Sequence, residues 1–368
     1  MILEDYSSAS KGIKVLDPFM GSGTTAIEAV RYASSVHGVE VDPYARLIAT
    51  VATRKYSSDE IKEIQFLISE IKKRAIGQKP NKALNPELAN IDYWFGEENF
   101  ADLLKLKSTI FDLTDAGKFR DFLLAAFGDI IRACSKAERQ SLKPYISKKY
   151  EKKPKPVLDE FSRIAPKYID AVLQSSSHKF DGIVWEGWDA TDFNVSTSID
   201  LAITSPPYIN AMDYTRCIKL ESAWIGTADD KAIRAVRNAQ LGESIRRHRA
   251  IGDEFVSSIA RKHFGELETI DESRFKTALV FFDDMKRNLQ SVYRALKSGG
   301  SYYIIIGNSK IRGIEVPTHQ VVAEIANELG YKWEKYFLYR IKDHRTSIPR
   351  GDRGGKIEFE HVLGLVKP

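Results

Sequence analysis

Two consecutive prolines follow a short apolar run in Thr204-Ser205-Pro206-Pro207-Tyr208. Each proline fixes its own φ and pushes the preceding residue out of the helical region, so the stretch forms a rigid, extended turn. Such a turn offers a hydroxyl at Ser205, a proline-locked carbonyl at Pro206 and an aromatic face at Tyr208. These groups suit a conjugated amine. The exocyclic nitrogen of cytosine or adenine is a poor nucleophile, because its lone pair is delocalised into the ring. Hydrogen bonds from that nitrogen to Ser205 and to the Pro206 carbonyl favour a more tetrahedral, more nucleophilic amine. Tyr208 can stack on a base swung out of a duplex. A Pro-Pro loop exit with a packing tyrosine explains the tetrapeptide when it is taken alone.

A second constellation lies near the N-terminus. Asp17-Pro18-Phe19-Met20-Gly21-Ser22-Gly23-Thr24 follows one apolar run and precedes a helical one. Glycines at such a turn let the backbone approach a ligand closely. The pattern GxxxxGK[ST] does not occur, so a phosphate-cradling P-loop is excluded. The next apolar run ends in Gly38-Val39-Glu40. A carboxylate roughly 20 residues beyond a glycine turn suits the hydroxyls of a ribose. The spacing points to an adenosine-type cofactor. A nicotinamide cofactor satisfies the same logic, although the turn is not GxGxxG, and so does a plain structural turn. Asp42 is a weaker cofactor contact, because capping a helix that begins at Pro43 is an equal use for it.

Composition narrows the classes. Of 368 residues, 43% are hydrophobic and 29% charged, ordinary values for a globular protein. No run approaches the roughly 18 to 20 apolar residues needed to cross a bilayer. The N-terminus lacks the basic start and apolar run of a secretory signal. Only Cys134 and Cys217 occur, far apart, which argues against disulfides or structural zinc and fits a reducing cytoplasm. Nothing calls for a metal. The net charge is +5, but residues 136–155 carry a net +6 and residues 231–263 a net +5. Basicity concentrated in two segments is expected of a chain that tracks a polyanion, although solvated helix faces or a basic loop at 148–155 give the same pattern.

The elements that must position these groups follow from the periodicity. IKVLD at 13–17, a helix at 24–33, a strand at 36–42 and a helix at 43–56 open a doubly wound α/β sheet. Residues 57–175 then read as a helical insertion, with periodic segments at 59–75, 100–114, 119–137 and 156–174. Strands resume at 181–185 and 200–204, the latter running into the Pro-Pro turn. Residues 227–275 form a second, basic insertion. A helix at 276–297, a turn at Ser298-Gly299-Gly300, a strand at 301–307, a helix at 318–329 and two closing strands complete the chain. The expected division is therefore a core at 1–56, 176–226 and 276–368, interrupted at 57–175 and 227–275.

Together, DPFMGSGTT, GVEVD and TSPPY resemble the amino-methyltransferases of DNA, the N4-cytosine and N6-adenine class, over about half the chain. The stretches 205–226, 296–309 and the closing EHVLGLVK resemble that family too. The resemblance implies a Rossmann-like methyltransferase sheet and S-adenosylmethionine as cofactor. It implies Asp17, Pro18, Phe19, Gly21, Gly23 and Thr24 around the methionine part, Glu40 on the ribose and Asp189 near the adenine. Ser205, Pro206, Pro207 and Tyr208 become the catalytic turn. Cys217 is not in a Pro-Cys setting, which disfavours a covalent route. A leading Ser is more typical of N4-cytosine enzymes, so cytosine is preferred to adenine. Double-stranded DNA with a flipped base is the implied partner, and a cognate restriction endonuclease an accompanying one.

Two departures carry expectations of their own. Enzymes with this motif order usually have a preceding segment whose helix completes the cofactor pocket, and only twelve residues precede IKVLD. The helix is then abbreviated, supplied by a second polypeptide, or encoded further upstream. The target-recognition region is expected at 227–275, with Arg234, Arg237, Arg246, Arg247 and Arg249 able to contact phosphates or guanine. Lys148 to Lys155 of the helical insertion are the second choice; a supporting or self-associating helical subdomain is an equal reading. RNA guanine-N2 and protein-glutamine methyltransferases use a similar Pro-Pro-Tyr motif, and a non-catalytic subunit of a two-part enzyme is the remaining alternative.

Overall fold

The computed structural model describes residues 2–9, 12–138, 141, 143–149, 151–174, 180–209, 214–226, 229–241, 254–341 and 358–368. Its strands are β1 (Ile13–Asp17), β2 (Ala33–Val39), β3 (Val184–Gly187), β4 (Ile199–Thr204), β5 (Leu296–Gly307), β6 (Ser309–Ile311), β7 (Ile314–Val316), β8 (Lys332–Arg340) and β9 (Phe359–Val366). Seven of them form one sheet in the order β3-β2-β1-β4-β5-β9-β8, and β6 and β7 make a small separate hairpin. Strands β1 to β5 pair in parallel, whereas β9 runs antiparallel to both β5 and β8. The chain leaves β1 towards β2 on one side, and β4 is added on the other. That reversal between β1 and β4 is the switch point where such sheets bind ligands, outside the carboxyl ends of the strands.

Both faces of the sheet are covered, which explains why β1 and β4 read as continuous apolar runs rather than alternating ones. Val15, Leu201, Ile203 and Tyr303 face one apolar cluster, with helix Thr24–Ala29 over it. Leu16, Ala202, Tyr302 and Ile304 face the other, against helices Glu272–Ala295 and Thr318–Glu328. Helix Ile2–Ala9 lies against the sheet through Tyr6, whose ring meets Tyr303 edge-on and whose hydroxyl donates to Ser301.

The helical insertion forms a third cluster, built from helices Ser58–Arg74, Glu97–Leu113, Lys118–Cys134 and Val157–Gln174. It is not a satellite. Leu220, Trp224 and Ile225 of helix Lys219–Ile225, which follows the Pro-Pro turn, are buried in it. The Trp224 ring packs against Phe95, Phe100 and Phe127.

Several boundaries differ from the sequence reading. The second strand starts at Ala33 and ends at Val39, so the helix before it is short and Glu40 and Asp42 stand just past the strand end. Ser298-Gly299-Gly300 is not a separate turn. Gly299 donates to the Lys367 carbonyl and Lys367 to the Gly300 carbonyl, which keeps this stretch in β5 through an irregularity in its pairing with β4. Within 227–275, Val256, Ile259, Ala260, Phe264 and Leu267 join the core cluster, because helices Glu254–Phe264 and Glu266–Ile270 present an apolar face to it. No helix among the described residues is long and apolar enough to cross a membrane.

Candidate active site

Asp17 ends β1 and is 3% exposed. One of its oxygens, Oδ1, accepts from the Phe19 N–H at 2.9 Å and from the Thr204 hydroxyl at 2.5 Å. Burial pushes its carboxyl above the usual range, and the Thr204 and Thr25 hydroxyls and the Phe19 N–H oppose that rise. Gly21 and Gly23 both have positive φ, 54° and 92°. The two glycines serve different ends. A Cβ at Gly23 would come within 2.8 Å of the Ala49 Cβ, so this glycine lets the start of helix Thr24–Ala29 close onto helix Pro43–Thr53. A Cβ at Gly21 would meet nothing nearer than the Phe19 carbonyl at 4.0 Å, so here the glycine leaves open space.

Glu40 locks the turn from the neighbouring strand. Its Oε2 accepts from the Gly21 N–H at 2.7 Å and its Oε1 from the Asp42 N–H at 2.8 Å. Burial raises its pKa to about 7 despite both bonds. Asp42 accepts from Ala45 N–H at 2.9 Å and caps the helix that opens with Pro43.

Ser205 leaves the end of β4 exposed, while Pro206 behind it is buried. The Tyr208 ring packs against the core cluster, and its hydroxyl donates to Oε1 of Glu360 at 2.5 Å. The Ser205 hydroxyl, in the same turn, is near enough to this phenol to oppose the rise in its pKa. Burial, then the bond to Glu360, pushes the Tyr208 phenol upward, so it stays protonated.

A cavity of about 430 Å³ opens between the two turns. Pro18, Phe19, Gly21 and Glu40 line one side, Ser205 and Pro207 the other. Asp17, Gly23 and Thr24 sit behind this lining, and Tyr208 and Pro206 beside it. Trp188, Tyr214 and Gln240 also reach the cavity. Sequence reasoning missed them. Trp188 stands next to the predicted Asp189, and its ring lies 3.7 Å from the Arg46 guanidinium, which donates to the Gly187 carbonyl at 2.7 Å. An aromatic residue directly before the expected acid was the available signal.

No protein-family model matches the chain. It is similar to the Type II methyltransferase M.MvaI of Kocuria varians, at 23% identity over 91% of this chain and 77% of that protein. M.BsoBI of Geobacillus stearothermophilus, also a Type II methyltransferase, is 23% identical over 96% of this chain and 79% of its own length. The chain is therefore similar to Type II methyltransferases over most of its length. Among solved structures, a SAM-dependent methyltransferase of Methanosarcina mazei aligns with 100% of this chain and 96% of its own, at 8% identity and a TM-score of 0.35. The α/β assignment rests on the sheet order itself.

The cavity suits the expected S-adenosylmethionine: a buried carboxylate at Glu40 and open space before Gly21 lie on the side of the glycine turn. Asp189 stands beside the cavity rather than in its lining, and its Oδ1 accepts from the N–H and hydroxyl of Thr191 at 2.8 and 2.7 Å. That Asx turn leaves lone pairs on the exposed carboxylate. Helix Asp230–Ala239 carries Arg234, exposed, and Arg237, half-buried, and runs into Gln240 and Leu241 at the cavity wall. Arg246, Arg247 and Arg249 lie outside the described residues. In the other basic segment, Lys152 is not presented to a ligand. Its Nζ donates to the carbonyls of Arg132, Ser135 and Ala137 at 2.7, 2.9 and 2.6 Å, closing the end of helix Lys118–Cys134. This ammonium satisfies carbonyls left without a partner at the helix end.

Proposed function

We propose that this methyltransferase acts on a specific site in double-stranded DNA, moving the methyl group of S-adenosylmethionine to the exocyclic amine of a flipped base, cytosine N4 in preference to adenine N6. One observation carries the reading: Gly21 and Glu40 share a single cavity with Ser205 and Pro207, across the switch point of the sheet. Cofactor and amine can therefore meet without a large movement of the backbone, and positioning is most of what such a transfer needs.

When bound, S-adenosylmethionine supplies an electrophilic methyl group. Asp17, Pro18, Phe19, Gly21, Gly23 and Thr24 form the wall around its methionine part in this reading. Glu40 accepts hydrogen bonds from the ribose hydroxyls, and Asp189 stands by the adenine. Ser205 and the Pro206 carbonyl accept hydrogen bonds from the target amine. Pro207 keeps that carbonyl fixed, and the Tyr208 ring packs on the base. Arg234 and Arg237, on a helix that ends at the cavity wall, belong to the surface that reads or grips the duplex. A cognate restriction endonuclease and a second polypeptide that completes the cofactor pocket belong to this reading as partners.

The test is tritiated S-adenosylmethionine offered with duplex DNA, transfer RNA and protein in parallel, followed by nucleoside analysis. Label in DNA, recovered as N4-methylcytosine, is expected. Label in RNA or protein alone, or nowhere, overturns the DNA reading; N6-methyladenine overturns the base preference.

A further inference from the structure

Methylating a neutral amine creates a cationic nitrogen that must lose a proton. The residue that leads the catalytic turn is a serine, whose hydroxyl can pass a proton on but cannot keep one. Of the carboxylates nearest the cavity, Asp17 holds Phe19 and Thr204, Glu40 holds Gly21 and Asp42, Asp42 holds Ala45, and Asp189 holds Thr191. All four stand on the side of the glycine turn and Trp188, away from Tyr208. On the side of Ser205, the Tyr208 phenol of the same turn donates over 2.5 Å to Glu360.

We infer that Glu360 is the terminal proton acceptor of a relay that leads from the target amine through Ser205 and Tyr208, an inference that rests on the amine-methylation reading above. As the nitrogen–carbon bond forms, the carbon–sulfur bond breaks and its electron pair stays on sulfur. The amine proton passes to Ser205 Oγ, the Ser205 proton to Tyr208 Oη, and the Tyr208 proton to Glu360 Oε1. The products are a neutral methylated amine, a neutral thioether and a protonated Glu360, which is half-buried and can return its proton to water.

The surroundings suit this role. Glu360 is the second residue of β9, opposite Gly307 at the end of β5 and Tyr339 on β8. Arg340 is next to Tyr339 on that edge strand. His361 follows Glu360, stacked on His319 with centroids 3.6 Å apart and hydrogen-bonded to the Tyr336 hydroxyl. Burial lowers both imidazoles, His319 to about 4, so this pair adds no cation beside Glu360 at neutral pH. Glu315 is the other carboxylate close to His361. A phenol held in its protonated form conducts a proton without trapping one, the property a relay needs in its middle member.

The experiment is single-turnover methylation of duplex DNA by the full chain, with Glu360→Gln and Tyr208→Phe compared with wild type. Glutamine keeps an oxygen acceptor for the phenol but cannot take the proton; phenylalanine keeps the ring and cuts the path. Each variant is expected to be about 100-fold slower, the low end of general-base contributions. Cofactor affinity, read by calorimetry, is expected to stay within about twofold. The double variant should be no slower than the singles, because both cut one path. At saturating cofactor the wild-type rate is expected to fall as pH is lowered, and in Glu360→Gln that limb is gone. Tyr208→Phe leaves Glu360 in place, so it reports on the relay even where Glu360→Gln folds poorly. Wild-type rates in Tyr208→Phe, or an unchanged pH limb in a folded Glu360→Gln, overturn the relay. Ser205→Ala separates the two levels. Transfer lost in Ser205→Ala but retained in Glu360→Gln and Tyr208→Phe sinks the relay and spares the methylation reading; no transfer to DNA by wild type sinks both.

Discussion

Thr204 donates its hydroxyl to Asp17 Oδ1 at 2.5 Å, joining the last residue of β4 to the last residue of β1. Both side chains are buried, with relative exposures of 1% and 3%. The bond fixes the glycine turn against the Pro-Pro turn, the two halves of the cavity. Thr204→Val keeps the shape and removes the donor, leaving a buried carboxylate short of a partner, at a cost of about 1–3 kcal/mol. Chemical denaturation should show that loss, and calorimetry a weaker cofactor affinity, with Thr204→Ser close to wild type in both. Equal stability of Thr204→Val and wild type would mean that the tie contributes nothing.

Glu40 makes the site sensitive to pH. Its folded pKa of about 7 lies above the ordinary carboxylate value, so the folded protein binds the extra proton. Stability from this group is full below the unfolded pKa, about 4.3, and is lost as pH rises through about 7. Cofactor binding runs the other way, because ribose hydroxyls donate best to an ionised carboxylate. Affinity for S-adenosylmethionine is therefore expected to strengthen from about pH 6 to about pH 8, with the slope set by proton linkage. Calorimetry in buffers of different ionisation enthalpy measures the proton released. Glu40→Gln should bind weakly with a flat profile; a flat wild-type profile would remove Glu40 from the ribose contact.

How much of this was legible beforehand depended on the range of the interaction. The turn at 17–24 and the Pro-Pro turn are local, and each announces itself through residues that restrict or free the backbone. Helices such as Ser58–Arg74 were equally readable, because their apolar periodicity and capping box are local too. Glu360 was not readable, since only the pairing of β9 beside β5 brings it to Tyr208, 152 residues away. Lys152 misled for a related reason. In the sequence it is one charge in a basic run, and only the fold shows three carbonyls converging on it. The Ser298-Gly299-Gly300 stretch reads as a turn by composition, and the partner that keeps it in the sheet is Lys367 at the chain's far end.

Arg132 and Glu221 join the helical insertion to the helix Lys219–Ile225 beyond the Pro-Pro turn, Nε to Oε1 at 3.2 Å. Burial pushes Glu221 upward and the Arg132 charge opposes that. Arg132 also donates to the carbonyls of Cys217 and Ser141. Arg132→Met strands a buried carboxylate and is expected to cost about 3–5 kcal/mol, whereas Arg132→Met with Glu221→Leu should recover most of it. Urea unfolding of the singles and the double gives the coupling. Additive losses would show that the pair does not act as a unit.

Lys152 and Arg234 separate the structural from the DNA-facing use of positive charge. Lys152 is spent on the end of helix Lys118–Cys134, so Lys152→Met should lower stability by about 1–2 kcal/mol, in the range of a lost cap. Its DNA affinity should fall with salt as steeply as that of wild type. Arg234 is exposed on the helix that leads into the cavity wall. Arg234→Ala should leave stability unchanged and reduce the slope of log K against log salt by about 1, as expected when one phosphate is no longer neutralised. Fluorescence anisotropy with labelled duplex over a salt series reads both slopes. A shallower slope in Lys152→Met, with none in Arg234→Ala, would move the DNA-facing surface from helix Asp230–Ala239 to the helical insertion.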